Sequence, residues 1–214
     1  AMRRAAAYAE SAGVLNVVAA TNTGLDLSNA TADPVSPDNA TLDARHTREL
    51  AGDCVVLPAG LPGTVTVSAV GADGVKAGYS AYGLGAIDVT APGGDSQSSR
   101  RDEQECVLST VPGGYARYCG TSMATPHVTG VAALLASTHP GAAPAQLREL
   151  LGWQAHPVTC PDDYDLSGTG VQDAFCSGYT DYNAFYGHGM VDALAAVSRR
   201  GPWPDTAEMT GPLS

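Results

Sequence analysis

Residues 120–135 constrain the fold of this chain more than any other part of its sequence. They read GTSMATPHVTGVAALL, with apolar side chains at the helical spacing of Val128, Val131, Leu134 and Leu135. This pattern predicts a helix over 120–137 with Pro126 in its first turn, where proline is tolerated. Ser122 would then lie at the helix start, where main-chain N–H groups are unpaired and the dipole is positive. A serine there could attack a carbonyl while its own amide stabilises the oxyanion, although most serines at helix starts are only caps.

Elsewhere, short apolar runs alternate with helical patterns. The runs predict strands over 14–20, 65–70, 87–91 and 107–111, and the patterns predict further helices over 5–11, 144–151 and 191–198. Residues 21–53 and 95–105 are polar loops, and a Pro/Gly-rich tail without apolar period begins at residue 201. This alternation predicts an α/β fold with a largely parallel sheet.

Charge removes several classes of partner. Twenty-two acidic residues against 11 basic ones give 214 residues a formal net charge of −11. So acidic a chain should repel nucleic acid and anionic membrane surfaces, and it contains no apolar run of about 18 residues that could span a bilayer. We therefore expect neither nucleic acid nor membrane as a partner.

The five cysteines form no C-x-x-C metal or redox motif. Cys106 and Cys119 bracket one turn-rich loop, and Cys160 and Cys176 bracket another. Two loop-closing disulfides fit this placing and would indicate an oxidising compartment, although spacing alone does not determine the pairing. Because the count is odd, Cys54 is either free or paired outside the chain.

Residues 120–130 resemble the nucleophile motif of the subtilisin-like serine proteases (subtilases), G-T-S-M-A-x-P-H-V-x-G, with Thr125 and Thr129 at variable positions. The resemblance implies that Ser122 is the nucleophile. Residues 17–24, VVAATNTG, resemble the family's V-V-A-A-G-N-x-G block, which implies that Asn22 donates its side-chain N–H to the developing oxyanion. Thr21 stands where the family usually has glycine, so the local turn could differ.

Two further blocks extend the resemblance over residues 5–197. Residues 79–94 resemble S-x-x-G…D-V-x-A-P-G, and residues 186–193 resemble the closing G-x-G-x-V-N/D-A helix. The implied fold is α/β, a subtilisin-like parallel sheet flanked by helices, with the N-terminal part of the fold absent. Residues 1–197 are expected to be the C-terminal portion of the catalytic domain, and residues 198–214 its tail.

The resemblance also implies substrate contacts. Ala19, Ala20 and Thr21 would form one wall of the pocket for the side chain before the scissile bond, and Gly120 and Thr121 would also contact substrate. The substrate would be a polypeptide bound extended along the cleft of a secreted, extracellular serine endopeptidase. Its chemistry would need no cofactor.

The Asp and His of the subtilase triad have no counterpart, because neither a D-[ST]-G nor an H-G-T block occurs. His127 is five residues from Ser122 on the same helix and would point elsewhere, and His46 lies in a polar loop. We reject both as the general base. The chain is therefore expected to be inactive alone and to associate, through exposed sheet edges, with an upstream segment or another copy.

A second, weaker motif begins at Asp163 and resembles the start of a calcium loop, with ligands proposed at Asp163, Asp165, Ser167 and Asp173. Gly168 falls at the sharp turn, but Ala174 occupies the twelfth position, where such loops need glutamate. Structural calcium is one interpretation. A polar, disulfide-closed surface loop is the other.

Two other functions remain open at this stage. A truncated subtilase-like domain could bind peptides or partners without cutting them. An α/β-hydrolase-type esterase is disfavoured, because residues 120–124 end in alanine and not in the second glycine of G-x-S-x-G.

Overall fold

The computed structural model describes residues 1–36, 44, 46–50, 55–95 and 106–198. The four helices of these residues are α1 (Met2–Ser11), α2 (Thr121–Thr138), α3 (Pro144–Gln154) and α4 (Ala193–Val197). The strands are β1 (Asn16–Ala19), β2 (Ala32–Ser36), β3 (His46–Glu49), β4 (Thr64–Val70), β5 (Val89–Pro92), β6 (Val107–Val111), β7 (Gly114–Tyr118), β8 (Gly178–Tyr179) and β9 (Tyr182–Asn183).

A parallel sheet of order β1-β4-β5 lies at the centre of the fold. All seven residues of β4 are buried, because it is the central strand and both of its faces are covered. Its side chains alternate between the two faces. Val65, Val67 and Ala69 join the core beneath the helices, whereas the hydroxyls of Thr66 and Ser68 donate to the carbonyls of Ala59 and Phe185 at 2.7 Å each.

Helices α2 and α3 cover one face of this sheet. The face of α2 that carries Ala124, Val128 and Leu135 is buried in the core with Val67, and Leu150 of α3 adds to the same cluster. Burying apolar surface on both elements is the main stabilising contribution to this arrangement. The sheet and α2 together position the site, because Asn22 follows β1 and Ser122 lies in the first turn of α2.

The predicted α/β fold with its parallel sheet and flanking helices is confirmed, with element ends shifted by a few residues. The predicted strand 107–111 is present, but it belongs to a separate antiparallel hairpin with β7.

The expected place of Pro126 was wrong, because α2 begins at Thr121 and the proline is its sixth residue. Pro126 has no N–H to donate to the carbonyl of Ser122, and both residues lie on the exposed side of the helix.

Both loop-closing disulfides are present, Cys106–Cys119 and Cys160–Cys176. The first closes the β6–β7 hairpin immediately before Gly120.

The polar stretch 21–53 contains the β2–β3 hairpin, which the sequence did not predict. Cys54 and the tail from residue 199 onward lie outside the described residues, as does most of the polar loop 95–105. None of the helices in the described part is long and apolar enough to cross a bilayer.

Candidate active site

Ser122 is the second residue of α2, and its side chain is exposed. The neighbouring amides are already engaged. The N–H of Thr121 donates to Asn22 Oδ1 at 2.9 Å, and the amides of Met123 and Ala124 donate to the carbonyl of Gly120 at 2.9 and 3.3 Å. Within the described residues the Ser122 amide has no acceptor, so this turn leaves one unpaired donor at the positive end of the helix.

Asn22 follows β1 and faces the start of α2. Its Oδ1 accepts from both the amide and the hydroxyl of Thr121, the latter at 2.8 Å. This bonding determines which way the amide group points. The Asn22 Nδ2 lies 3.3 Å from the position that a Cβ on Gly120 would occupy, and it has no acceptor within the part of the chain that the structure describes. A side chain on Gly120 would press against this amide.

The turn that presents Asn22 is strained at Thr21, the one non-glycine residue with positive φ in the described chain, at +100°. This conformation favours glycine and is unusual for a β-branched residue. Its hydroxyl lies 3.0 Å from the hydroxyl of Thr23, and its carbonyl accepts from the Ala81 amide at 3.1 Å. Thus Thr21, which stands where the resemblance leads one to expect glycine, nevertheless adopts the conformation that glycine favours.

Tyr79 and Gly93 fix the segment before α2 through hydrogen bonds, and the sequence analysis did not predict this role for either residue. The Tyr79 hydroxyl donates to the carbonyls of Gly93 and Gly94 at 3.1 and 2.5 Å, and burial raises the pKa of this phenol. The Gly120 amide donates to the Gly93 carbonyl at 3.0 Å. A Cβ on Gly93 would lie 2.5 Å from the Cβ of Ala69, so only glycine fits there. The signal was available, since both residues fall in the 79–94 block.

The predicted substrate-contacting residues differ in accessibility. Ala19 and Thr21 are partly exposed, but Ala20 is fully buried with Ala81 and Ile87. Gly120 is buried, and Thr121 is only 1% exposed because its hydroxyl bonds to Asn22. The side chains of Ala20 and Thr121 therefore pack within the chain, and these two residues could meet a substrate only through their main chain.

None of the histidines in the described residues hydrogen-bonds to the hydroxyl of Ser122. The His127 Nδ1 lies 2.9 Å from the Met123 carbonyl on the exposed side of α2. His46 is exposed on β3, with Nδ1 3.4 Å from the Ala44 carbonyl. Neither ring is placed to take a proton from the serine.

The proposed calcium ligands are bonded within their own loop. Asp165 accepts from the amides of Thr169 and Gly170 and from the hydroxyl of Ser167, and these bonds lower the pKa of Asp165. Asp173 accepts from the Ser167 amide at 2.9 Å. Asp163 accepts from the Gln172 side chain at 2.7 Å. The Ser167 hydroxyl bonds to both Asp165 and Asp173, so these three proposed ligands are neighbours. Among the described residues, however, no group of three or more His, Cys, Asp or Glu side chains is placed to hold a metal ion.

An exposed serine at a helix start, beside two unpaired N–H donors beyond the carboxyl ends of parallel strands, is typical of a site for acyl transfer. The subtilase family profile matches residues 1–189. The chain therefore belongs to the subtilase family.

Individual relatives agree. Subtilisin NAT of Bacillus subtilis subsp. natto is 36% identical over 141 residues, which are 65% of this chain and 28% of that protein. An extracellular protease of Xanthomonas campestris pv. campestris is 45% identical over 98 residues, 44% of this chain and 16% of that protein. A solved protease structure from Pseudoalteromonas arctica matches with a TM-score of 0.60 and 30% identity, covering 92% of this chain and 45% of that one. The chain spans less than a third of the length of these two curated relatives.

Proposed function

We propose that this chain provides the nucleophile-bearing part of a serine endopeptidase that hydrolyses peptide bonds through an acyl-enzyme. Ser122 is the nucleophile, and the Asn22 side-chain amide and the Ser122 main-chain N–H stabilise the oxyanion. The observation that supports this assignment best is the bonding of Asn22 Oδ1 to Thr121, because it leaves Nδ2 as a donor next to the unpaired amide of Ser122.

In the proposed reaction the Ser122 hydroxyl attacks the carbonyl carbon of the scissile peptide bond and gives up its proton to a general base. The carbonyl oxygen becomes an oxyanion and accepts hydrogen bonds from Asn22 Nδ2 and the Ser122 amide. Collapse of this intermediate breaks the C–N bond, and the amine leaves with the proton that the base took from the serine. Water, deprotonated by the same base, then attacks the ester, and Ser122 recovers its proton as the acid product leaves. Both donors are held before substrate arrives, so no reorganisation is needed when the charge develops.

The general base and its orienting carboxylate come from outside the residues described here. A serine without its base is a weak nucleophile at neutral pH. Removing a triad member in such enzymes costs roughly a thousandfold or more in rate. We therefore expect the chain by itself to be catalytically silent, and to cut polypeptides only when a segment with the Asp and His groups joins it.

The free edge of β1 is the proposed attachment point for that segment or, failing it, for a second copy. Within the described residues β1 pairs only with β4, and all four of its side chains are half-buried. An unpaired strand edge presents a row of unsatisfied main-chain groups, which another strand can pair with.

The relatives and the two disulfides support a secreted, extracellular location, which an oxidising environment would suit. The proposed chemistry needs no metal or other cofactor. Structural calcium at the 163–173 loop stays a prediction from the sequence.

A fluorophosphonate probe tests the proposal, because it labels only activated serines and the adduct is seen by intact mass. The chain is expressed alone, and also together with any coding sequence that lies in frame before it in its gene. We expect one adduct in the joint product, none in the chain alone, and none after Ser122→Ala. Thr125→Ala, which alters a hydroxyl three residues along the same helix, should leave the adduct unchanged.

Absence of the adduct from a folded joint product would refute the catalytic proposal and favour a non-catalytic subtilase-like domain. An adduct on the chain alone would contradict the expected inactivity, because it would mean that a base within these 214 residues activates Ser122.

A further inference from the structure

Lys76 is the only lysine in the chain, and its side chain is enclosed, with 1% of the residue exposed. It lies beyond the turn that follows β4. Its ammonium donates to the main-chain carbonyls of Ala77 at 3.0 Å and Ser80 at 2.8 Å. Burying an ammonium group costs free energy unless its protons are hydrogen-bonded. These two hydrogen bonds therefore offset part of the cost of burying Lys76.

Three aromatic rings enclose the same ammonium. The Lys76 Nζ lies 5.2 Å from the ring centre of Tyr82, 5.0 Å from that of Tyr164 and 5.3 Å from that of Phe185. These distances are within the range of cation–π attraction. The main chain of Lys76 is held as well, because the Tyr164 hydroxyl donates to its carbonyl at 2.8 Å and its amide donates to the Tyr186 hydroxyl at 3.3 Å.

The residues that Lys76 holds are those on which the Asn22 turn rests. Residues 77–82, called here the support segment, make main-chain hydrogen bonds to residues on both sides of Asn22. These bonds are Ala81 N–H to Thr21 O at 3.1 Å, Gly24 N–H to Tyr79 O at 2.8 Å, Tyr82 N–H to Leu25 O at 3.0 Å and Leu27 N–H to Tyr82 O at 2.7 Å. The strained φ of Thr21 persists only because such surroundings over-determine it.

We propose that Lys76 is a positioning residue for the oxyanion hole, because its ammonium, bonded to two carbonyls inside the aromatic cage, fixes the support segment and thereby the direction of the Asn22 side chain. The same contacts make the loop between Cys160 and Cys176 part of this arrangement, since Tyr164 lies in that loop. The expected effect of Lys76 on catalysis rests on the proposed function of Asn22. Its expected effect on the position of the support segment does not.

The structural arm uses hydrogen exchange in the 214-residue chain, followed by NMR at the amides of Thr121 and Ala81. Lys76→Met keeps a similar apolar length but removes the charge and both hydrogen bonds. We expect these two amides to exchange at least about tenfold faster than in the wild type, after correction for any change in global stability. Thr64→Val is the matched control, because it removes one buried hydrogen bond, to the Leu61 carbonyl, at the opposite end of β4. If both amides exchange in Lys76→Met as they do in the control, the proposal is wrong.

Two milder variants keep the test decisive should Lys76→Met fail to fold. Tyr164→Phe retains the ring but removes the hydroxyl bonded to the Lys76 carbonyl, so a smaller acceleration at the same two amides is expected. Lys76→Arg retains charge and donors and should lie between wild type and Lys76→Met. Because Lys76 is the sole lysine, ¹³C-lysine labelling gives a single side-chain signal that reports the cage directly. A shift of this signal to the position of a free lysine in Tyr164→Phe, with unchanged exchange at Thr121, would also contradict the proposal.

The catalytic arm uses the joint product that carries the preceding coding sequence. Lys76→Met should lower kcat by about 10- to 100-fold and leave KM within twofold, because oxyanion stabilisation acts in the transition state. Lys76→Arg should restore part of the loss, and Thr64→Val should leave both constants unchanged. Equal changes in kcat and KM would indicate general loosening and would count against positioning. If no serine is activated in the wild type, the proposed function fails while the exchange experiment still decides the role of Lys76.

Discussion

Asn22 Oδ1 accepts two hydrogen bonds from Thr121, one from the main-chain amide at 2.9 Å and one from the hydroxyl at 2.8 Å. The two residues are separated by 99 positions in the chain, and the bonds join the end of β1 to the start of α2. Asn22 thus satisfies an amide that the helix cannot satisfy itself, and in doing so it determines where its own N–H donors point.

Asn22→Asp should separate these two roles. The carboxylate keeps an acceptor for Thr121 and places a negative charge at a helix N-terminus, so the free energy of unfolding should be unchanged or slightly raised. The Nδ2 donor is lost, and in the joint product proposed to be active kcat should fall about 10²- to 10³-fold. Steady-state kinetics and denaturant unfolding measure the two effects.

Asn16→Asp is the control, because it makes the same chemical change on β1, where the Asn16 side chain contacts the Ala6 carbonyl. It should leave kcat unchanged. An Asn22→Asp enzyme with wild-type kcat would show that the Asn22 N–H plays no part in the reaction.

Thr21 gives a prediction about stability. At a φ of +100° glycine has no Cβ penalty, whereas alanine and threonine do. Thr21→Gly should therefore be more stable than Thr21→Ala by roughly 1 kcal/mol. At Thr23, whose φ is not positive, the order should reverse and glycine should cost about 0.5–1 kcal/mol relative to alanine. Urea unfolding of the four variants compares the two sites, and the same order at both would mean that Thr21 is unstrained.

The sequence predicted those features that depend on local pattern. The apolar spacing of residues 128–135 and the short, mainly apolar runs around residues 17, 67 and 89 are enough to predict α2 and the three parallel strands. Ser122 and Asn22 were proposed as site residues because they lie in contiguous motifs that resemble the family's.

The features that the sequence did not predict depend on contacts between distant segments. The bonding of Asn22 to Thr121, the support of Gly93 by Tyr79 and the cage around Lys76 each join segments that no periodicity relates. The β2–β3 hairpin has few apolar residues in alternation, so its polar sequence looks like a loop. The burial of Ala20 could not be foreseen either, because it depends on packing against Ala81 and Ile87.

Lys76 should make stability depend on pH in the alkaline range. Burial lowers its pKa to about 8 from 10.5, although the nearby Asp95 and Asp173 carboxylates act in the opposite direction. Between these two values the unfolded chain binds the proton that the folded chain has released. The free energy of unfolding should therefore rise from pH 8 towards pH 10, by up to about 3 kcal/mol if the full shift is realised.

The tyrosines around the cage act in the opposite sense at higher pH. Burial raises the pKa values of Tyr82, Tyr164 and Tyr186, so above about pH 10 the unfolded chain loses phenolic protons that the folded chain keeps, and stability should fall. Urea unfolding at intervals from pH 7 to 11 should show a maximum. Lys76→Met should abolish the rise below pH 10 but keep the fall above it, and a rise that persists in this variant would assign it to another group.

The free edge of β1 gives a prediction about association. The Ala20 amide donates to the Val67 carbonyl of β4, and main-chain groups alternate along a strand, so the Val17 amide should point to the free edge. Val17→Pro removes that donor and places a ring where another strand would approach, while the bonds to β4 remain.

In sedimentation velocity the wild-type chain should associate with itself, or with the segment encoded before it, and Val17→Pro should weaken this association at least about tenfold. Val17→Ala is the control for the apolar contacts of Val17 with the core. It should associate like the wild type, and equal weakening by both variants would show that side-chain packing, rather than the strand edge, drives the association.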